Sequence, residues 1–337
     1  MANLASLTST LIDYSFGLLS ERKLQTAGAV VIAFALVSIA FEFGTYLYVH
    51  FVRPGKDLKR SYGEWAVVTG ASDGIGFAMA KEFVRKGLGV VLISRHSIPE
   101  GQQVSKLQGR MKEILEKYPN AQVRVIEVDF TNFDAEARKK VAAGLAGLNV
   151  GVLVNNVGQS YPFPMYFHEL SDANVEQLMS VNVNSTTWMT RMVLPGMVEK
   201  KKGAVINIAS AAGIINSPLL TQYGAAKSYI AMMTRALHAE YEGRGISFQC
   251  QVPMFVTTKL AKLKHTTLFT CSEAAYARAA VAAIGYEPLI SPYWSHAIQI
   301  WLGTTLPDGI ISPLNMYMHG DLRKRGMKKV ADKAKTS

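Results

Sequence analysis

The chain has 337 residues, 49% of them hydrophobic, which suffices for one large domain with appendages or for two small domains. Its formal net charge is +11, but no motif of a nucleic-acid-binding fold accompanies the basic residues, so nucleic acid is not an expected partner. Cys250 and Cys271 lack a CxxC or histidine-rich context, which argues against a disulfide framework and a metal site and favours a reducing, cytosol-facing environment.

The N-terminal region contains a long apolar segment. Residues 26–52 include Glu42 as their one acidic residue, and a run of this length can span about 30 Å of hydrocarbon. We therefore expect a transmembrane helix at 26–52, with a buried core helix as the alternative. Leucines at roughly helical spacing predict an amphipathic segment over residues 1–25, lying along a membrane surface.

Basic residues flank the apolar parts of the chain. Residues 53–60 hold four Lys or Arg against one Asp, and the positive-inside rule then places everything after the span in the cytosol. Residues 321–337 form a basic tail with seven Lys or Arg against two Asp. Such clusters beside apolar segments fit an anionic membrane surface, so membrane lipid is an expected partner.

From residue 60 onward, short valine-rich runs alternate with amphipathic stretches. The valine-rich runs predict strands at 65–70, 89–94, 123–129, 150–156, 203–210 and 246–252. The stretches between them predict helices at about 74–87, 102–117, 133–146, 172–200 and 221–243. This alternation predicts an α/β fold, a doubly wound parallel sheet covered on both faces, over residues 60–270.

The stretch TGASDGIG at 69–76 closes the first predicted strand and opens the first predicted helix. Glycines in such a turn let the backbone approach a pyrophosphate, which the helix N-terminus then stabilises. The predicted cofactor-binding residues of this turn are Gly70, Ser72, Asp73, Gly74, Ile75 and Gly76. The strand before the turn and the helix after it make a dinucleotide the expected ligand.

Two charged side chains follow the next two strands. Arg95 occupies the place where an NAD site has a carboxylate, and its planar cation suits the 2′-phosphate of NADP. An exposed arginine at the start of a loop is the alternative. Asp129 is placed to accept a hydrogen bond from the adenine amino group, with a turn-forming aspartate as the alternative.

The stretch QYGAAK at 222–227 places Tyr223 and Lys227 on the same face of a predicted helix. A free tyrosine, with a pKa near 10, is a poor proton relay at neutral pH. An ammonium close by would stabilise the phenolate and lower that pKa. A solvated lysine beside a half-buried tyrosine is the alternative for an isolated YxxxK pattern.

Further motifs occur in a set order along the chain: NNVG at 155–158, Asn182 in VNVNS, and Ser210 thirteen positions before Tyr223. With TGASDGIG, they make residues 63–260 resemble the short-chain dehydrogenase/reductase family. NNVG replaces the commoner NNAG, and Pro253–Met254 replaces the commoner Pro-Gly.

The resemblance implies roles for individual side chains. Ser210 would bind the substrate carbonyl, Tyr223 would donate the proton, Lys227 would hold the nicotinamide ribose, and Asn182 would anchor a water. The same resemblance adds further positions to the cofactor site: Asn156, Val256 and Thr258, together with Tyr223 and Lys227. NADPH is the expected cofactor.

Longer stretches, among them LPGMVEKKKGAVINIAS, are similar to the endoplasmic reticulum branch of very-long-chain 3-oxoacyl-CoA reductases, which includes the 17β-hydroxysteroid dehydrogenase type-twelve group. This implies reduction of 3-oxoacyl-CoA in fatty-acid elongation, at the endoplasmic reticulum membrane with the catalytic domain facing the cytosol. A homodimer and other elongation enzymes are candidate partners. A steroid or retinoid oxidoreductase is the rival function. The complete catalytic set weighs against a non-catalytic scaffold.

The region after the predicted Rossmann domain is harder to interpret. Residues 271–320 are a substrate cap or a membrane-associated region, and the proline-rich part at 284–318 also fits the last sheet edge and its cover. Cationic residues in the loop after Pro253 would hold the CoA phosphates, with a solvated helix face as the alternative; they are Lys259, Lys262, Lys264 and His265. The terminal KAKTS resembles a dilysine retrieval signal.

Overall fold

The computed structural model describes residues 21–99, 103–258 and 265–335. The chain forms two compact units, Met1–Arg53 and Pro54–Ser337. In the first unit, helix α1 (Glu21–Leu47) continues into a π-helical turn at Tyr48–Val52. The segment Gln25–Val52 is the one helix in the described part of the chain that is long and apolar enough to cross a membrane. None of its apolar window is buried inside the protein, which does not fit a core helix.

The second unit contains a parallel sheet. Within the described residues it has seven strands: β1 (Trp65–Thr69), β2 (Gly89–Ser94), β3 (Val123–Glu127), β4 (Val150–Asn155), β5 (Gly203–Ile208), β6 (Ile246–Gln251) and β7 (Leu289–Ile290). They are ordered β3-β2-β1-β4-β5-β6-β7, and every neighbouring pair is parallel. The predicted doubly wound fold is confirmed, and β7 shows that part of the 284–318 region is the last sheet edge.

Helices cover both faces of this sheet. The described α-helices of this unit, including those that do not pack on the sheet, are α2 (Leu58–Ser61), α3 (Gly74–Arg85), α4 (Lys106–Lys117), α5 (Ala135–Leu145), α6 (Asp172–Met179), α7 (Ser185–Glu199), α8 (Thr221–Tyr241), α9 (Glu273–Ala282), α10 (Trp294–Thr305) and α11 (Asp308–Ala334). A π-helical turn, Ser180–Asn184, joins α6 to α7 where the sequence predicted one uninterrupted helix. Helix α11 runs across the predicted boundary between the 271–320 region and the basic tail.

The core lies on both sides of the central strands. Strands β1 and β5 are buried at every position, because alternate side chains enter two different apolar layers. One layer contains Phe83 of α3 and Ile114 of α4, and the other contains Val141 of α5 and Met189 of α7. This two-sided burial explains why the strands appear in the sequence as continuous apolar runs rather than alternating ones.

The order of the strands determines where a ligand can bind. Strand β1 is followed in sequence by β2 on one side, and β4 lies on its other side, so the direction of winding reverses between β1 and β4. In open α/β sheets, a crevice opens at such a reversal, outside the carboxyl ends of the strands. The glycine turn follows β1 there, and NNVG follows β4.

The burial of the helices gives a prediction about stability. Ile114→Ala should lower the free energy of unfolding by about 2–5 kcal/mol, because Ile114 is 1% exposed and its loss leaves a cavity. Ile98→Ala is the matched control: Ile98 is 54% exposed, so its removal should change stability by no more than about 0.5 kcal/mol. Denaturant unfolding of both variants measures this, and equal losses would contradict the burial argument.

Candidate active site

The glycine turn is held in place by an asparagine side chain. Gly70 and Gly74 have φ angles of +65° and +59°, which side chains other than glycine rarely adopt. Asn156 Nδ2 donates hydrogen bonds to the carbonyl oxygens of Thr69 (3.0 Å) and Gly70 (3.3 Å). A Cβ on Gly76 would lie 2.3 Å from the same Nδ2 atom. Asn156, expected as a cofactor contact, therefore braces the turn.

The loop after β6 reaches the same turn. A Cβ on Gly74 would lie 3.4 Å from Thr258 Cγ2, and Val256 is buried and forms an isolated bridge with Cys271. Ile75 packs its partly buried side chain against the core beneath. The structure thus places three predicted cofactor-binding residues at one edge of the sheet: Ile75, Val256 and Thr258.

Two cations that the sequence analysis missed lie at the glycine turn. Asp73 caps α3 by accepting a hydrogen bond from the Gly74 N–H at 3.2 Å. Lys106 Nζ is 2.8 Å from Asp73 Oδ2, and an Arg110 guanidinium nitrogen is 3.6 Å from Asp73 Oδ1. Arg110 Nε also donates to the Ser72 carbonyl oxygen at 3.1 Å. Helix α4 thereby neutralises the carboxylate of the turn.

The other two predicted adenosine contacts lie at the ends of β2 and β3. Ser94 Oγ donates to Ser72 Oγ at 3.1 Å, which joins the end of β2 to the glycine turn, and Arg95 follows as an exposed side chain. Asp129 accepts from the Thr131 N–H at 2.9 Å and caps a short 3-10 helix. This contact agrees with the alternative interpretation of Asp129, in which its carboxylate stabilises a turn.

Asn182 lies in the π-helical turn between α6 and α7 and is fully buried. Its Oδ1 accepts from the Gln159 N–H at 3.2 Å, and its Nδ2 donates to the carbonyl oxygens of Gln159 and Leu178, both at 2.9 Å. A Cβ on Gly158 would lie 3.0 Å from Asn182 Oδ1 and 3.1 Å from Lys227 Nζ. These two polar atoms therefore converge on Gly158, where a larger residue would have to displace one of them.

Ser210 lies close enough to Tyr223 for its hydroxyl to act on the phenol. Burial raises the pKa of Tyr223, and the neighbouring Ser210 hydroxyl opposes this shift only in part. Burial lowers the pKa of Lys227 to about 8. Lys227 Nζ lies 5.8 Å from the centre of the Tyr223 ring and donates to the Ile208 carbonyl oxygen at 3.0 Å. The sequence predicts a lowered pKa for Tyr223, whereas in this structure its pKa is raised, because desolvation of the phenol is the largest effect on it.

The four predicted catalytic side chains occupy one place at the carboxyl ends of β4 and β5. Asn182 Oδ1 and Lys227 Nζ both approach Gly158, and Lys227 Nζ lies 5.8 Å from the centre of the Tyr223 ring, with Ser210 beside that tyrosine. A lysine with a pKa of about 8 exchanges its proton near neutral pH. The arrangement can therefore hold a carbonyl oxygen between two hydroxyls and pass a proton toward it.

A tyrosine outside the predicted set positions the catalytic helix. The Gln222 N–H donates to the Tyr161 hydroxyl at 2.8 Å, at the start of α8 and next to Tyr223. The first N–H groups of a helix have no partner within the helix, so this contact satisfies one of them. Tyr161 fixes the beginning of α8 from a distant loop.

A buried histidine positions the loop after β6. His296 Nδ1 accepts from the Met254 N–H at 3.3 Å, and its Nε2 donates to the Phe255 carbonyl oxygen at 3.2 Å. Both contacts require the neutral ring with its proton on Nε2. Burial lowers the pKa of His296 to about 4, so the ring stays neutral above that pH. Its contacts hold the backbone just before Val256.

This histidine predicts a pH dependence of stability. Between pH 6.5 and about 4, the unfolded chain binds a proton at His296 that the folded chain does not, so stability should fall as pH falls. The contribution of this group reaches at most about 3 kcal/mol. His296→Gln should remove that part of the pH dependence in urea unfolding at several pH values. Identical pH profiles for the two proteins would contradict the assignment.

Comparison with known proteins assigns the chain to a family. The model of the short chain dehydrogenase family matches residues 64–268. The very-long-chain 3-oxoacyl-CoA reductase of Macaca fascicularis is 38% identical over 309 residues, which cover 91% of this chain and 96% of that protein. The protein of the same name from Rattus norvegicus is 42% identical over 269 residues, covering 79% and 83%.

A solved structure supports the same assignment. A 7β-hydroxysteroid dehydrogenase is 25% identical, superposes with a TM-score of 0.66, and is matched over 76% of this chain and 98% of its own. The family match spans the glycine turn, the four converging side chains and the loop after β6. The chain therefore belongs to the short-chain dehydrogenase family.

Proposed function

We propose that the protein reduces 3-oxoacyl-CoA to 3-hydroxyacyl-CoA with NADPH, in the elongation of very-long-chain fatty acids. As a member of its family the chain is an oxidoreductase. The observation that carries the substrate assignment is the likeness to reductases of this name over 91% of the chain and 96% of the relative. The converging Asn182, Ser210, Tyr223 and Lys227 supply the chemistry that such a reduction needs.

Each site residue has a separate role in the reduction of the ketone. Ser210 and Tyr223 hydrogen-bond the ketone oxygen, and Tyr223 donates its proton to that oxygen as the C–O bond becomes a single bond. Lys227 stabilises the phenolate left behind, and Asn182 orders the route by which the proton is replaced. NADPH, when bound, supplies the hydride that adds to the ketone carbon. Asn182 and Lys227 are buried, whereas Ser210 and Tyr223 are half-buried and can therefore reach a bound substrate.

The residues around the glycine turn fit a dinucleotide phosphate. The turn leaves no room for a Cβ at Gly76, and α3 begins directly after it, so a pyrophosphate can approach the helix N-terminus. Arg95 is placed for the 2′-phosphate. Lys106 and Arg110 support the preference for NADPH, because they neutralise Asp73, which would otherwise repel that phosphate.

The rival substrate is a steroid. The 7β-hydroxysteroid dehydrogenase matched over 98% of its length favours this reading. The fold and the catalytic set serve both reactions, because specificity lies in the loop after Pro253 and in the C-terminal helices. The lysines expected to hold CoA phosphates, Lys259, Lys262 and Lys264, lie outside the described residues, and their role is part of this proposal.

The proposal includes a location and an assembly. Helix α1 anchors the chain in the endoplasmic reticulum membrane, and the catalytic domain faces the cytosol; the exposed apolar segment Gln25–Val52 and the basic residues after it support this topology. Exposed apolar side chains on the adjacent helices α7 and α8 support a homodimer; they are Trp188, Tyr229 and Met232. Other elongation enzymes are the further partners.

The first test addresses the proton donor. Tyr223→Phe should lower kcat by about 10²- to 10⁴-fold, because it removes the donor, while NADPH binding stays within about twofold. Tyr229→Phe is the matched control on the same helix and should leave kcat unchanged, since Tyr229 is exposed. Steady-state kinetics and cofactor titration measure both. A Tyr223→Phe protein that keeps more than about a tenth of the rate would refute the assignment.

The second test addresses cofactor choice. Arg95→Asp should shift the preference from NADPH toward NADH, because a carboxylate repels the 2′-phosphate and accepts from a ribose hydroxyl. Lys112→Asp makes the same charge change at an exposed site on α4 and should leave the preference unchanged. The ratio of kcat/KM for the two cofactors is the measurement. A wild-type protein that uses both equally would rule out the role of Arg95.

The third test addresses the CoA head group. Changing Lys259, Lys262 and Lys264 together to Gln should raise KM for 3-oxoacyl-CoA, and added salt should weaken binding to the unmodified protein. Reduction of an uncharged ketone by the same variant should stay nearly unchanged, since that substrate carries no phosphates. Equal effects on both substrates would assign these lysines to folding or membrane contact instead.

A further inference from the structure

Helices α10 and α11 expose an apolar surface that no part of the catalytic mechanism uses. Between residues 294 and 320, Asp308 is the one residue among Asp, Glu, Lys and Arg. The outer apolar face, as we name it, consists of Trp301, Leu302, Leu306, Ile310, Leu314 and Tyr317. These side chains are 42–79% exposed, with Tyr317 the most exposed. An apolar surface of this kind marks an interaction site.

The opposite side of α11 is fixed to the catalytic unit by polar contacts. Asn315 Nδ2 donates to the Asn216 carbonyl oxygen at 2.7 Å, and His319 Nδ1 donates to the Pro218 carbonyl oxygen at 2.6 Å. Arg323 forms two hydrogen bonds of 2.6 Å with the Glu169 carboxylate. These residues are four apart and therefore share one side of the helix. The outer apolar face is thus held outward in the folded protein.

The C-terminal half of α11 changes from apolar to basic. Lys324, Arg325, Lys328 and Lys329 are exposed there, and Arg325 is paired with Asp321 at 2.6 Å. A helical surface with an apolar part and a lysine-rich part is typical of helices that lie in the interface of an anionic bilayer. Lysine is depleted in interfaces between proteins, so this composition favours lipid over a protein partner.

The length of α10 and the composition of α11 argue against a second membrane crossing by these helices. Helix α10 has 12 residues and is therefore about 18 Å long, well short of the roughly 30 Å of a hydrocarbon core. Helix α11 is longer but contains Pro313 and the basic half. Of the described helices, the one that meets the length and composition for a span is the N-terminal segment. A helix pair of this kind lies on a membrane rather than across it.

We propose that the outer apolar face inserts into the interfacial region of a bilayer that contains anionic lipid, with the lysines of α11 on the headgroups. The inner side of α11 contacts residues 216 and 218, in the segment between Ser210 and Tyr223. The membrane surface therefore lies beside the catalytic loop. If the proposed function holds, a long acyl chain reaches the site from the lipid side.

The test uses the full chain in vesicles of phosphatidylcholine and phosphatidylserine. The two native cysteines are buried and at most 2% exposed, so a cysteine introduced by Tyr317→Cys can be labelled alone with an environment-sensitive fluorophore. Lipid carrying a spin-label quencher should reduce emission at 317 by at least about twofold. The matched control is Lys112→Cys on α4, where the label should respond to aqueous iodide and not to the lipid quencher.

Two outcomes would overturn the proposal. A label at 317 that iodide quenches as strongly as the label at 112 would show a water-facing surface. A label protected from both quenchers, together with crosslinking between chains at 317, would show that a second copy covers the face. Quenching by lipid that is lost when phosphatidylserine is omitted would support the charge contribution of the lysines.

A kinetic measurement connects the surface to the substrate. Leu314→Ser with Tyr317→Ser should raise KM for a long-chain 3-oxoacyl-CoA in vesicles by at least about threefold, and leave KM for a short, water-soluble one unchanged. Both side chains point outward, so folding should be preserved. Equal effects on both substrates would refute the substrate route. If the unmodified protein reduces neither substrate, the proposed function is refuted. The quenching measurement would still test the membrane contact on its own.

Discussion

The catalytic end of the sheet is organised around one desolvated cation. Lys227 is 4% exposed, and a buried ammonium is costly unless hydrogen-bond acceptors surround it. Its nitrogen donates to the Ile208 carbonyl oxygen at the end of β5, and both this nitrogen and Asn182 Oδ1 approach Gly158. The carboxyl end of β5, the π-helical turn and the start of α8 must all keep their places for this charge to be tolerated. Ser210, which follows β5, and Tyr223, in the first turn of α8, are the proposed reactive pair and depend on two of these elements.

The cofactor side uses the opposite arrangement, in which charges are paired near the surface. Asp73 caps α3 and is neutralised by Lys106 and Arg110 of α4, so the glycine turn carries little net charge of its own. Asn156 ties the turn to the end of β4. On one side of the crevice, burial therefore shifts the pKa values of Tyr223 and Lys227. On the other side, the glycine turn offers an anionic ligand a binding surface of little net charge.

Much of the fold was predictable because the strands are buried on both faces and stand out as apolar runs. That Asn182, Ser210, Tyr223 and Lys227 lie in one part of the structure was predictable because their order along the chain follows a family pattern. The role of His296 was not, since its partners Met254 and Phe255 are about forty residues away and nothing in its own neighbourhood marks it. Strand β7 is only two residues long and gives no periodicity. The pKa shift of Tyr223 depends on the depth of burial, which residue types alone do not reveal.

Helix α11 also has a structural role within the catalytic unit. Through Glu169 and Asn216 it joins two loops that are far apart in sequence, one after β4 and one before α8. A change that displaces α11 between Asn315 and Arg323 would therefore reach both loops at once. Within the catalytic unit this part of α11 acts as a clamp, so a substitution there can alter two distant loops without touching either of them.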